Sequence, residues 1–95
     1  MDKLYVWDDQ KNGKLKIERN ISFEEIVYAI DNGNLIKTVE NPSGKNYRNQ
    51  YIHLVLVHGY VYVVPFVEDK DHIFLKTIFP SRKATELYRK GGFAP

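Results

Sequence analysis

The stretch from residue 51 to residue 67 constrains the fold more than any other segment. It consists of two apolar runs, YIHLVLV and YVYVVPFV, separated only by His58-Gly59. Two intervening residues that end in glycine are typical of a tight β-hairpin turn. We therefore predict an antiparallel hairpin with a defined register. Its pairs on one face are Val57 with Tyr60, Val55 with Tyr62 and His53 with Val64.

The opposite face of this hairpin carries Leu54, Leu56, Val61 and Val63, and its composition predicts the drier face. His53 is then the only histidine on the wetter face of a central strand, where it could act as an acid or base near neutral pH. A well-satisfied histidine within the sheet is the alternative. Proline cannot donate to a ladder, so Pro65 should occupy a bulge or an unpaired edge position.

Two helices are predicted before the sheet. The first is the polar segment DDQKNGKLKIERN, capped by Asp8 or Asp9, with Leu15 as its main apolar residue. The second lies in NISFEEIVYAIDNGN, where Ser22 and Glu25 form a capping box. Further signals for this second helix are a hydrophobic staple between Ile21 and Ile26 and a stop at Asn32-Gly33.

The remaining pattern predicts two more strands and a last helix. LIKTVE is a short strand before the turn-rich loop NPSGKNYRNQ, and HIFLKTIF is the strand after the hairpin. PSRKATELYRK predicts a C-terminal helix capped by Ser81, with Ala84, Leu87 and Tyr88 facing inward. We expect one α+β domain over residues 1–95: an antiparallel sheet of about four strands, with helices packed on one face.

The charge is unevenly distributed along the chain. Residues 1–33 hold five Lys/Arg and seven Asp/Glu, whereas residues 34–95 hold nine and five, so the balances are −2 and +4. Such asymmetry suggests an acidic or polyanionic partner for the second half. There is no cysteine, and the N-terminus lacks the apolar run of a signal peptide, so we expect a cytoplasmic protein with no membrane association.

The densest basic cluster surrounds the last helix. Lys76 lies on the strand before it, and Arg82, Lys83 and Arg89 lie within it. Cations in the first turn oppose the helix dipole, while the free N–H groups there favour an anion. The sequence therefore predicts a phosphate site formed by Arg82, Lys76 and these N–H groups. A solvated basic patch, with Lys76 lying over apolar neighbours, is the alternative.

A second basic-aromatic pair lies in the loop before the hairpin. Arg48 could bind phosphate bidentately, and Tyr47 could stack on an exposed base. The chain has no P-loop, no dinucleotide-binding glycine pattern and no HExxH, and its three histidines are isolated. We therefore expect no metal and no cofactor.

Both ends of the chain resemble BrnT-type toxins. WDDQKNGKLKIERNISFEEIV is similar to that family's opening, roughly W-D-x-x-K-N, a basic helix, then G-[IV]-S-F-E-x-A. IFPSRKATELYRK resembles its closing I-x-S-A-R-x-A-T-x-x-E. The resemblance implies the RelE/ParE-like superfamily of type II toxin–antitoxin systems, whose fold is a compact α+β domain with an antiparallel sheet.

Residue by residue, the resemblance carries the family's closing arginine onto Arg82 and its Lys-Asn pair onto Lys11 and Asn12. A late tyrosine that contributes in RelE-like toxins corresponds to Tyr88. Two motifs differ. Where family members have a basic-His-Gly triplet, this chain has Glu18-Arg19-Asn20, and its loop GKNYRNQ lacks the acid that often precedes an Arg-aromatic pair.

The resemblance implies a metal-independent endoribonuclease that acts on mRNA. We assign Arg82 and Lys76 to charge stabilisation, Arg48 to an auxiliary phosphate clamp, and Tyr88 or His53 to proton transfer. Further RNA contacts are assigned to Lys83, Arg89, Tyr47, Lys11 and Arg19.

The expected partners are a cognate antitoxin, which would also bind DNA, and RNA, either free or on the ribosome. A ParE-like inhibitor of a protein target and a plain nucleic-acid-binding module are the alternatives.

Overall fold

The computed structural model describes residues 3–40 and 50–93. It confirms the predicted α+β class with two N-terminal helices and one C-terminal helix. The elements in chain order are β1 (Leu4–Val6), α1 (Asp9–Arg19), α2 (Phe23–Asp31), β2 (Leu35–Glu40), β3 (Gln50–Val57), β4 (Tyr60–Glu68), β5 (His72–Leu75), β6 (Phe79–Pro80) and α3 (Arg82–Arg89). No helix in the described ranges is both long and apolar enough to cross a membrane.

The strands form one sheet in the order β1-β5-β4-β3-β2, with β6 paired to β4. The antiparallel pairing from β2 to β5 was expected, but the prediction of a purely antiparallel sheet of about four strands was wrong. β1 adds a parallel edge strand that pairs with β5, and β6 is a further short strand. Because β1 has three residues and its partner is more than 60 residues away, no local pattern indicated it.

The predicted hairpin is confirmed in turn and register. His58 and Gly59 both have positive φ angles, 50° and 78°, as a two-residue type I′ turn requires. Val57 pairs with Tyr60, and the register continues without a shift to the pair Gln50 and Val67.

The predicted strand HIFLKTIF is interrupted in the structure. β5 pairs with residues 66–68 of β4, whereas β6 pairs with residues 62 and 63. Pro65 lies in the gap between these two ladders, where its missing N–H leaves no bond unmade. The Lys76 amide still donates to the Pro65 carbonyl oxygen at 2.8 Å. On its other side Pro65 pairs with Ile52 of β3 without a bulge, and β4 is a central strand, so the expectation of a bulge or an unpaired edge position was wrong.

The first two helices have the predicted caps. The Asp8 side chain accepts hydrogen bonds from two amides of the first turn of α1, and Ser22 and Glu25 form the reciprocal capping box of α2. Ile21 and Ile26, the two residues of the staple, are both buried. Gly33 follows α2 with a φ of 84°, a conformation that favours glycine.

Asn12 joins these two helices. Its side-chain Nδ2 donates to Glu24 Oε1 at 2.7 Å, and its Oδ1 accepts from the Phe23 amide at 2.8 Å. Trp7 stacks on the Phe23 ring with a centroid separation of 5.6 Å. Asn12, the asparagine of the N-terminal Lys-Asn motif, therefore has a structural role.

The main core lies between α1, α2 and one face of the sheet. Its strand residues belong to the same face as His53, which is itself only 5% exposed. The expectation that the Leu54/Leu56 face would be drier was therefore wrong, since α2 covers the other one. The buried hydrophobic cluster comprises Leu15, Ile21, Phe23, Ile26, Ala29, Val55, Val57, Val64, Phe66, Leu75 and Ile78.

α3 packs on the opposite face. It contacts β4, where buried Val61 alternates with the core residues Val64 and Phe66 and so points away from α2. No α3 residue belongs to the described core cluster. The prediction that all helices pack on one face was wrong, because the hydrophobic pattern of a strand does not identify which helix covers each face.

Candidate nucleic-acid interface

α3 is defined by caps at both ends. Ser81 Oγ accepts from the Ala84 amide at 3.0 Å, which confirms the predicted N-cap. At the other end, the Gly91 amide donates to the Tyr88 carbonyl and the Gly92 amide to the Leu87 carbonyl. This is the Schellman arrangement, and the φ of 76° at Gly91 permits it. The helix therefore begins and ends where the sequence indicated.

A single buried side chain anchors α3 to the sheet. Thr85 is 1% exposed, and its Oγ1 accepts from the Val61 amide at 2.9 Å and donates to the Ser81 carbonyl at 2.7 Å. Leu87 and Tyr88, which were predicted to face inward, are 45% and 39% exposed. That prediction was wrong for Leu87, because the buried side of this short helix is centred on the threonine.

The side of α3 turned away from the sheet is basic. Residues 82, 83, 86, 89 and 90 recur at spacings that place them on one side of a helix, and all five are exposed. We call Arg82, Lys83, Arg89 and Lys90 the basic face. With Glu86 among them, four cations and one anion give a local charge of +3.

No cation of the basic face lies within 4.0 Å of a carboxylate oxygen among residues 3–40 and 50–93. Arg82 and Lys83 occupy the first turn, which has no acidic residue, so their charges add to the positive end of the helix dipole. The basic face is therefore a source of uncompensated positive potential that would attract phosphate groups.

Lys76 directly follows β5 and is exposed, and its amide donates to the Pro65 carbonyl oxygen of β4. The Ser81 amide bonds to Val61, four residues earlier on the same strand. The backbones next to Lys76 and Arg82 are thus attached to β4 at points roughly 13 Å apart, at about 3.3 Å per residue.

A cavity of about 520 Å³ lies beside the C-terminal end of α3. Tyr88 and Arg89 line it together with Phe93 and apolar residues of β2 and β3, among them Ile36 and Leu56. Tyr88 and Arg89, two of the predicted site residues, thus line the same cavity. Lys76 and Arg82 are not among the residues that line this cavity. The phosphate site that these two residues were predicted to form stays a prediction.

His53 is held inside the protein. Its Nδ1 lies 2.7 Å from Thr38 Oγ1 and its Nε2 lies 3.4 Å from the Tyr5 hydroxyl, while its ring packs on Phe66. Burial lowers the pKa of His53 from 6.5 to about 4, although the charge of Glu68 opposes this shift. The imidazole is therefore neutral at pH 7 and does not face solvent, contrary to the expectation of a wetter face.

The remaining candidates are dispersed. Arg19 Nη1 donates to the Ile78 carbonyl at 2.7 Å, so its guanidinium ties the end of α1 to the segment between β5 and β6. Lys11 lies in the first turn of α1. Tyr47 and Arg48 lie outside the described residues. Within the described ranges, no three His, Cys, Asp or Glu side chains form a group that could hold a metal ion.

Sequence reasoning did not identify Thr85 and Asn12 as structural anchors, or Phe93 and the β2 residues as cavity lining. A threonine within a helix that is rich in charged residues is a weak indication of a buried hydrogen bond. The meeting of Phe93 with β2 depends on tertiary packing, and no local pattern could have indicated it.

The chain matches a known protein family. A family described as a domain of unknown function, DUF4258, matches residues 15–80, which are 66 of the 95 residues. The chain belongs to the DUF4258 family. A search of curated proteins finds no match. The DUF4258 match extends from the second half of α1 to β6 and ends before α3, so the basic face lies outside the matched segment.

Proposed function

We propose that this DUF4258 protein is a BrnT-type toxin of the RelE/ParE-like superfamily and cleaves mRNA without a metal ion. The observation that carries the proposal is the basic face of α3, four exposed cations without a carboxylate partner in the described part of the chain, next to a cavity lined by Tyr88 and Arg89. A compact α+β fold is also what the resemblance to BrnT-type toxins implies.

The proposed reaction needs a base, an acid and a source of positive charge. The RNA 2′-oxygen attacks the adjacent phosphorus and its proton passes to solvent water as the base. The bond from phosphorus to the 5′-oxygen breaks, and an acidic side chain delivers a proton to that 5′-oxygen. Positive charge must stabilise the phosphorane that forms between these events. Arg82 and Lys76 are assigned to this charge, with Arg89 and Lys83 binding the flanking phosphates.

Tyr88 is the better candidate for proton transfer. Tyr88 is 39% exposed and lines the cavity, whereas the His53 ring is buried and hydrogen-bonded to Thr38 and Tyr5. An imidazole in that position would have to move before it could reach a substrate. We therefore assign His53 to the structure of the sheet and Tyr88 to the reaction, with Arg48 kept as an auxiliary phosphate clamp.

The proposal is tested by inducible expression with and without the adjacent gene. Arg82→Ala should abolish growth inhibition, because loss of one charge-stabilising group lowers rates by about 10²–10³. Lys14→Ala removes an exposed cation from α1 and serves as the matched control. Circular dichroism must show that both variants fold. A normally folded Arg82→Ala protein that remains fully toxic would contradict the assignment.

RNA products distinguish cleavage from binding. The purified protein should cut RNA in the presence of a chelator and leave 2′,3′-cyclic phosphate ends. The cognate antitoxin would present an acidic or amphipathic segment to the basic face and should co-purify with the toxin. Any contact with DNA would occur only through that antitoxin.

A second candidate function is supported by the lining of the Tyr88 cavity. Among its described lining residues there is no carboxylate or imidazole, so Tyr88 is the only evident proton donor. A non-catalytic protein would bind through the same surface. RNA that stays intact but binds with a steep dependence on salt would indicate a nucleic-acid-binding module, and growth inhibition without RNA binding would indicate a protein target.

A further inference from the structure

A separate cavity of about 510 Å³ lies beside β1, at the C-terminal end of α2. Two aromatic residues, Tyr5 and Trp7, line it together with aliphatic side chains of α2 and β5. This cavity shares no lining residue with the one that contains Tyr88. It therefore offers aromatic and apolar side chains at a place that the proposed function does not use.

Two charged residues line this cavity, Asp31 and Lys3. Asp31 lines it, and among the described residues no cation lies within 4.0 Å of the Asp31 carboxylate. Lys3 also lines it, but its ammonium is paired with Glu68. Glu68 lies outside the lining, so Asp31 is the charged lining residue that has no partner among the described residues.

Two further observations agree with a negative potential. Asp31 is the last residue of α2, where the helix dipole adds partial negative charge instead of compensating the carboxylate. Burial raises the pKa of the Tyr5 hydroxyl, and the charges of Asp31 and Glu68 raise it further. Tyr5, one of the two aromatic lining residues, thus lies in the field of both carboxylates.

We infer that this cavity binds the guanidinium side chain of an arginine presented by a partner polypeptide. A guanidinium can stack on an aromatic face and pair bidentately with a carboxylate, and its apolar stem suits the aliphatic lining. An ammonium could pair with Asp31 but would use the aromatic rings less well. The inference stands whether or not the protein cleaves RNA.

The position of β1 explains how a polypeptide would reach the cavity. β1 is the outermost strand of the sheet among the described residues, and it pairs with β5 on one side only. Leu4 on this strand is 66% exposed. An extended segment added to the free edge of β1 would run past the cavity and could place one side chain in it.

The single tryptophan of the chain makes the test specific. Trp7 lines the cavity, so its fluorescence reports on binding there. Titration with N-acetyl-arginine methylamide should give a saturable change in Trp7 fluorescence. The citrulline analogue has nearly the same shape but no charge, and it should bind at least about tenfold more weakly, because a charge-assisted bidentate pair is lost.

Two variants separate this pocket from general electrostatics. Asp31→Asn should weaken binding of the arginine probe by at least about tenfold, as expected for loss of a charged hydrogen-bond partner. Glu40→Gln removes an exposed carboxylate from β2 and should leave binding unchanged.

Three results would overturn the inference: no saturable change with the arginine probe, equal binding of the citrulline analogue, or equal binding by a folded Asp31→Asn protein. The comparison of the two probes uses the unmodified protein, so it decides the question even if the variant fails to fold.

Discussion

α2 and α3 have similar lengths and serine N-caps, but they contribute to the protein in different ways. α2 buries Phe23 and Ile26 completely, and its first turn carries two glutamates that complement the helix dipole. α3 buries only Thr85, and its first turn carries two cations that oppose the dipole. α2 therefore mainly stabilises the domain, whereas α3 displays charge at some expense of its own stability.

The first prediction compares the loss of stability when one aliphatic side chain of each helix is truncated. Ile26→Ala should lower the free energy of unfolding by about 2–5 kcal/mol, because it leaves a cavity in the main core. Leu87→Ala should cost under about 1 kcal/mol, since Leu87 is 45% exposed. Urea denaturation of both variants provides the measurement. Equal losses would show that α3 is as much a part of the core as α2.

The second prediction concerns how the free energy of unfolding depends on pH through His53, on the α2 side of the sheet. The pKa of His53 is about 4 in the folded protein, compared with 6.5 for an unperturbed histidine such as that of the unfolded chain. Between these values the unfolded chain binds more protons, so His53 contributes stability above pH 6.5 that is lost as the pH falls towards 4. The loss should be on the order of 3 kcal/mol.

Urea midpoints at pH 7.5 and 4.5 measure this loss. His53→Gln should lack this component of the acid sensitivity, while the carboxylates contribute equally to both proteins. If the variant and the unmodified protein lose the same stability, the buried neutral imidazole is not responsible.

A smaller effect tests the anchor of α3. Thr85→Val keeps the shape of the side chain but removes the oxygen that accepts from the Val61 amide. A buried amide left without an acceptor should lower the free energy of unfolding by about 1–3 kcal/mol. Thr85→Ser retains the hydroxyl and is the matched control for this bond. Hydrogen exchange at Val61 should quicken in the valine variant and much less in the serine variant.

The elements with local signals were predicted well. The capping box at Ser22, the staple between Ile21 and Ile26, and the turn at His58-Gly59 each depend on residues within a few positions of one another. The same holds for the start and end of α3. Such signals are readable because their hydrogen bonds form between near neighbours in the chain.

The candidate site was predicted only in part. Periodicity alone places Arg82, Lys83, Arg89 and Lys90 on one side of α3, but it did not identify Thr85 as the buried residue. His53 was assigned to the wrong environment because an alternating strand defines two faces without saying which one the helices cover. The parallel pairing of β1 with β5 joins distant segments that carry no mutual sequence signal.

Short-range sequence patterns define the helices, their caps, the hairpin register and the excess of positive charge towards the C-terminus, because each is a property of neighbouring residues. Tertiary structure alone decided that α1 and α2 cover the His53 face while α3 covers the other. It also decided that Asp31, Tyr5 and Trp7 line one cavity beside β1. These contacts join residues far apart in the chain, and they depend on which surfaces exclude water together.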